Sequence, residues 1–104
     1  MPTPAQLDAF TLAFHRQAVA RLHQQPALLE QALQTLKRWE SQRGATASDP
    51  YLQRWKALLT QGPQWLEAQV CQQTEDAATL RNVSPLGFVL SARQRQQIRR
   101  EAMH

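Results

Sequence analysis

A chain of 104 residues, 42% of them hydrophobic, has room for one modest core, because folding at this size buries roughly two-thirds of the surface that the unfolded chain exposes. Its single cysteine, Cys71, excludes an internal disulfide; no apolar run approaches the roughly 20 residues of a membrane helix; and the opening Met1-Pro2-Thr3-Pro4-Ala5-Gln6 lacks the basic and apolar regions of a secretory leader, so a soluble, cytoplasmic protein is expected. Of 12 basic and 8 acidic residues, Arg81, Arg93, Arg95, Arg99 and Arg100 stand against Glu101 alone beyond residue 80, while the rest of the chain balances to zero, which places the whole net charge of +4 at the C-terminal end.

Thr3 as cap and Pro4 as first helical residue predict a helix to about Gln24. Leu7, Phe10, Phe14, Ala18 and Leu22 recur along it at three- and four-residue steps, and Leu12 and Val19 add a second stripe, the pattern of a helix packed on two sides and central to the fold. Pro26 restarts the chain, and Leu28, Leu29, Ala32, Leu33, Leu36 and Trp39 define a second helix that should stop at Gly44. The short connection makes these two antiparallel or sharply angled neighbours. Residues 45–50 have loop composition, and Asp49-Pro50 signals a third helix whose inner face is Tyr51, Leu52, Trp55, Leu58 and Leu59.

Gly62-Pro63 ends that helix and starts a fourth, expected from Pro63 to about Arg81. Leu66, Val70, Ala77 and Leu80 form its stripe, with Gln69 and Gln73 on the same side, where their amides need partners or a second copy of the chain making a homodimer. After Asn82, Ser84-Pro85 and Gly87 break the chain, and Ser91 with Gln94 reads as a capping box for a short last helix. The fold class predicted is therefore all-α. It is a single domain over residues 1–104, a bundle of four main helices, with an apolar connecting segment over 83–90 and a basic helix over 91–104.

The least generic stretch is that C-terminal one. Arg93 and Arg100, seven apart, share one helix face; Arg95 and Arg99, four apart, share another; Ile98 and Ala102 are left to face the body of the protein. Guanidinium forks suit phosphates and carboxylates alike, so the helix is read as docking on an anionic protein, as binding nucleic acid, or as a solvated helix whose late arginines complement its own dipole. Val83 to Leu90 is apolar at six of eight positions, unusual for a connection. Leu86, Phe88 and Leu90 either fold back to plug one end of the bundle or offer an apolar docking strip beside the basic helix.

Other chemistry is thinly represented. A DNA-reading pair formed by the third and fourth helices is disfavoured, because Gln64 to Leu80 carries Glu67, Glu75 and Asp76 and no Lys or Arg. Glu75 and Asp76 are adjacent and so point about 100° apart on a helix. His15 and His23 read as structural, and Cys71 lies off the stripe with no nearby basic residue in sequence to activate it. No Gly-rich phosphate cradle, zinc spacing or hydrolase motif is present, and neither catalytic residue, metal nor cofactor is expected. Trp39, Tyr51, Trp55 and Trp65 are expected to serve packing, and any one left exposed would suggest a hot spot.

Leu80-Arg81, Ser84-Pro85-Leu86, Val89-Leu90-Ser91, Arg95, Ile98 and Arg100, preceded by Arg38-Trp39 and by Tyr51, Trp55 and Leu58-Leu59, resemble a group of small bacterial helical proteins. Their shared pattern is roughly L-R-x-x-S-P-F-x-x-x-L-S-x-x-x-R-x-x-I-x-R, and the similarity covers most of the chain after Ala20. Such proteins are associated with gene pairs of the toxin–antitoxin kind. The resemblance implies an antitoxin-like protein that occludes a cognate toxin, and it carries over no catalytic residue. This chain departs from the pattern with Leu86 where the group has Phe, and Phe88 is expected to fill the same pocket. The expected function is a non-enzymatic one: binding a protein partner through Leu86, Phe88, Arg93, Arg95, Arg99 and Arg100, with a small DNA- or RNA-binding regulator as the alternative.

Overall fold

A computed structural model describes residues 3–43 and 50–102. All regular structure among them is helical: α1 (Pro4–Gln24), α2 (Ala27–Arg43), α3 (Pro50–Gln61), α4 (Pro63–Val70), α5 (Glu75–Asn82) and α6 (Ala92–Ala102). The Cα radius of gyration is 13.6 Å, close to the roughly 13 Å of a compact domain this long.

The start of α1 is the one the sequence specifies. Gln6 N–H donates to Thr3 Oγ1 at 3.1 Å and Thr3 N–H donates to Gln6 Oε1 at 2.8 Å, with Pro4 as the first helical residue. These bonds satisfy two of the amide groups that every helix N-terminus leaves open. Leu12, Phe14, Ala18, Val19 and Leu22 are buried along α1, which packs against α2, α4, α5 and α6 and so is the central helix. Two apolar stripes serve several neighbours at once, which is why one face would not suffice.

α2 buries Ala32 and Leu36 and packs chiefly on α3. Its predicted stop at Gly44 and the Asp49 cap of the next helix lie outside the described residues; Pro50 is the first residue of α3. α3 turns Leu52, Trp55, Leu58 and Leu59 inward. Trp55 is completely buried, and its indole N–H donates to the Leu80 carbonyl at 2.7 Å, tying α3 to α5 through the core. Gly62 ends α3 at φ +117°, a conformation that favours glycine, and a Cβ there would come within 2.8 Å of Gln64 Oε1.

The single fourth helix expected from Pro63 to about Arg81 is two helices. α4 stops at Val70, residues 71–74 bend, and α5 begins at Glu75 with Thr74 as its cap, Ala77 N–H donating to Thr74 Oγ1 at 3.1 Å. An unbroken helix would have given the Val70 and Gln72 carbonyls to amides four residues on. Here Arg81 Nη1 donates to both, each at 2.8 Å, so one guanidinium accepts the task that the lost helical turn leaves undone. Gln69 and Gln73 are consequently exposed rather than on the inner side, and the reading that placed them against the core is corrected by the break. Leu66, Val70, Ala77 and Leu80 still meet the core, because both short helices present their apolar residues to α1.

Candidate functional site

The segment from Val83 to Leu90 is mostly a plug. Pro85 and Leu86 are fully enclosed, and Val89 and Leu90 are buried in the main core cluster. Ser84 Oγ accepts from Leu86 N–H at 3.1 Å and Val89 N–H donates to the Leu86 carbonyl at 3.0 Å, local turns that drive Leu86 inward. Leu86, with 0% exposure, therefore offers no surface to a partner, and its expected role as an anchor is corrected: it holds the segment down. Phe88, in the same loop, is 40% exposed. The two residues expected to share a task have separated, one into the core and one to the surface.

α6 follows directly. Its capping box forms as the spacing predicts, Ser91 N–H donating to Gln94 Oε1 at 2.8 Å and Gln94 N–H donating to Ser91 Oγ at 3.2 Å. Ile98 is buried and Ala102 half-buried as the helix lies on α1, which leaves Arg93, Arg95, Arg99 and Arg100 exposed. None of the four forms an ion pair among the described residues. Arg95 and Arg99 point along the flank nearest α1, where the Arg99 guanidinium lies over the Phe10 ring at 5.3 Å from its centroid. Phe10, Ala92, Arg93, Arg95, Gln96 and Arg99 line a recess of about 540 Å³, and Phe10 and Arg95 also border a smaller one of about 210 Å³ that reaches in past Phe14 and Ser84. Phe10 is the residue of this candidate surface that sequence reasoning did not single out. It sits on the apolar stripe of α1, and only the arrival of α6 beside it turns the stripe's edge into part of a surface.

Arg81 was counted with the basic tail, yet its side chain is 0% exposed. Beyond its two carbonyl bonds, Nη2 donates to Asp8 Oδ1 at 3.1 Å, joining α5 to the first turns of α1. Its charge is an internal fastening, so the outward-facing charge of the C-terminal region belongs to α6 alone. His15 is buried between Phe14, edge-on at 5.3 Å, and Trp55 at 6.1 Å. Its Nδ1–H donates to the Thr11 carbonyl at 2.7 Å, while Nε2 is enclosed with no partner. Burial lowers its pKa from 6.5 to about 4, the Thr11 bond opposing and the nearby Arg81 charge reinforcing the shift. The ring is thus neutral and structural at neutral pH.

Cys71 is half-buried at the end of α4, and its thiol pKa is raised, first by burial and then by the Glu67 charge. Arg16 and Arg81 lie close enough to oppose that shift, a proximity the sequence does not reveal, but they do not reverse it. Arg54 and Asp76 join α3 to α5 at 2.8 Å on the surface, the guanidinium holding the Asp76 carboxyl below its usual range. Trp65, on α4, is 51% exposed and far from α6 in the packing order. The described residues contain no cluster of three or more His, Cys, Asp or Glu able to hold a metal, and none of their helices is long and apolar enough to cross a membrane. The third and fourth helices, read as a DNA-reading pair, would place an eight-residue α4 in the groove, further weakening that arrangement. No protein-family model matches the chain, and no curated protein or solved structure is significantly similar to it.

Proposed function

We propose that this protein is a non-enzymatic binding module, antitoxin-like in kind, that lays its α6 face on an acidic surface of a partner protein and acts by occlusion. The observation that carries this reading is the asymmetry of α6: Ile98 is buried on α1, while Arg93, Arg95, Arg99 and Arg100 are exposed without ion-pair partners among the described residues. Exposed Phe88, in the loop that leads into the helix, supplies an aromatic anchor beside a rim of arginines, a composition enriched at the centres of protein interfaces. Leu86 contributes from beneath by fixing that loop. Arginine forks pair with carboxylates through two parallel charge-assisted bonds, which gives geometry as well as attraction.

The same arginines suit phosphates, and a small nucleic-acid-binding regulator is the second reading. The two differ in salt response. Neutralising about four phosphates of duplex DNA gives a log–log slope near −3.6, whereas an interface anchored by apolar burial weakens much less with salt. The test is affinity capture from the native host with and without nuclease treatment, at two salt concentrations, with the intact protein and with an Arg93→Ala, Arg95→Ala, Arg99→Ala, Arg100→Ala variant. A stoichiometric protein retained by the intact chain at high salt and released by the variant supports partner binding. Nucleic acid recovered alone before nuclease treatment, and lost with salt and with the arginines, overturns it in favour of the regulator.

A further inference from the structure

We infer that the concavity between α1 and α6, floored by Phe10 and flanked by Arg95 and Arg99, receives an acidic amphipathic helix of a partner protein, with an apolar side chain seated beside Phe10 and carboxylates one turn apart on the two arginines. This rests on the partner-binding reading above and adds to it a location and a chemistry of the occupant.

Three observations meet here. The two recesses that share Phe10 and Arg95 are lined by no acidic residue among the described ones, so their lining does not offset the guanidinium charge at their mouths. Arg95 and Arg99 are one turn apart on a helix, about 6 Å along its axis, which matches carboxylates spaced i and i+4 on a second helix. Beside them the smaller recess is walled by the Phe10 and Phe14 rings together with Thr11, His15 and Ser84, so next to the cations there is a place for one hydrophobic side chain against the two rings. An apolar centre with a cationic rim is the complement of an amphipathic helix bearing acidic residues beside its apolar stripe.

The shape favours protein over nucleic acid at this flank. The Arg99 guanidinium already occupies one face of the Phe10 ring, which reduces the ring surface on which a base could stack but leaves its edge free for an aliphatic or aromatic side chain. Arg93 borders only the larger recess and Arg100 neither of the two, so a phosphate backbone that follows Arg95 and Arg99 departs from Arg100. Phe88 remains at the loop end as a second, separate contact.

The experiment uses a fluorescein-labelled helical peptide with Glu one turn apart on either side of a central Phe. Its comparators are the same peptide with Gln for Glu, the same peptide with Ala for Phe, and a labelled 20-base-pair duplex. Fluorescence anisotropy is read for the full chain and for Arg95→Gln/Arg99→Gln, Arg93→Gln/Arg100→Gln and a charge-matched control, Lys37→Gln/Lys56→Gln, whose exposed lysines lie on α2 and α3. Saturable binding is expected, weakened about tenfold or more by the Arg95/Arg99 pair and by either peptide change, and little altered by the lysine pair. Equal losses for the arginine and lysine pairs, indifference to removal of the Phe, no binding of the peptide at all, or tighter binding of the duplex would each overturn the inference. A loss confined to the Arg93/Arg100 pair also overturns it while leaving the α6 face as the partner site, and protein capture from the host then decides the broader reading on its own. Circular dichroism of each variant confirms the fold, which substitutions at exposed positions leave intact.

Discussion

Arg81 shows how a charge can be spent inside a small protein. Its guanidinium holds the Val70 and Gln72 carbonyls of the turn after α4 to the Asp8 carboxylate of α1. Truncating it leaves the enclosed Val70 carbonyl without this donor while the half-exposed Asp8 turns to water, so Arg81→Ala is expected to lower the unfolding free energy by about 1–3 kcal/mol in urea titration. Arg81→Lys should recover less than half of that, since an ammonium lacks the planar fork that spans both carbonyls. His15 acts through pH instead. Its folded pKa of about 4 lies below the unfolded value of 6.5, so the unfolded chain binds the extra proton between them. Its contribution to stability is complete above pH 6.5 and is lost as pH falls toward 4, by about 3 kcal/mol at most. Denaturant titrations at pH 7, 5.5 and 4 should show that slope, and a His15→Leu variant should flatten it. The structural role of His15 was legible from its place at the margin of a stripe, whereas that of Arg81 was not: it stands next to a basic tail, and only tertiary packing decides that it is enclosed.

The helices, by contrast, were legible where caps and periodicity agree. Thr3-Pro4 with Gln6, Pro50, Gly62-Pro63 and Ser91 with Gln94 mark starts and stops that the structure keeps. The division of α4 from α5 was missed because Leu66, Val70, Ala77 and Leu80 fit one continuous helix as well as two. The signal that could have revealed it is Thr74-Glu75-Asp76, a cap followed by two acids in a first turn, where they complement the helix dipole. Ser91→Ala and Thr74→Ala are each expected to cost about 1 kcal/mol by thermal or chemical unfolding. Trp55→Phe keeps most of the buried ring but removes its bond to the Leu80 carbonyl, which retains the Val83 N–H at 3.3 Å, and about 1 kcal/mol should be lost. Within the site, the four arginines were readable from their spacing, Phe88 from its place in an apolar loop, and the burial of Leu86 only as one of two open outcomes. The part played by Phe10 depends on a contact between the first helix and the last, which no local pattern encodes.

At the scale of the molecule, the proposed binding face and the core lie in different places. The core draws on every helix through α1, whereas the four arginines of α6 rest on the outside. The variant with all four changed to Ala should therefore unfold close to the native protein, because exposed substitutions usually lie within about 0.5 kcal/mol each and removing like charges relieves repulsion. Differential scanning calorimetry checks this, and a large drop in melting temperature would place the arginines in the fold instead. The central position of α1 has a further consequence for how the chain is made. A ribosome releases this helix first, but α4, α5 and α6, three of the four helices it packs against, emerge last. At about 5–20 residues per second, α1 waits roughly 3–14 s between its own completion and the arrival of α6. During that interval its two apolar stripes are a substrate for chaperones and proteases. The covering of α1 is complete only when α6 docks, which is also the moment the cationic face first exists.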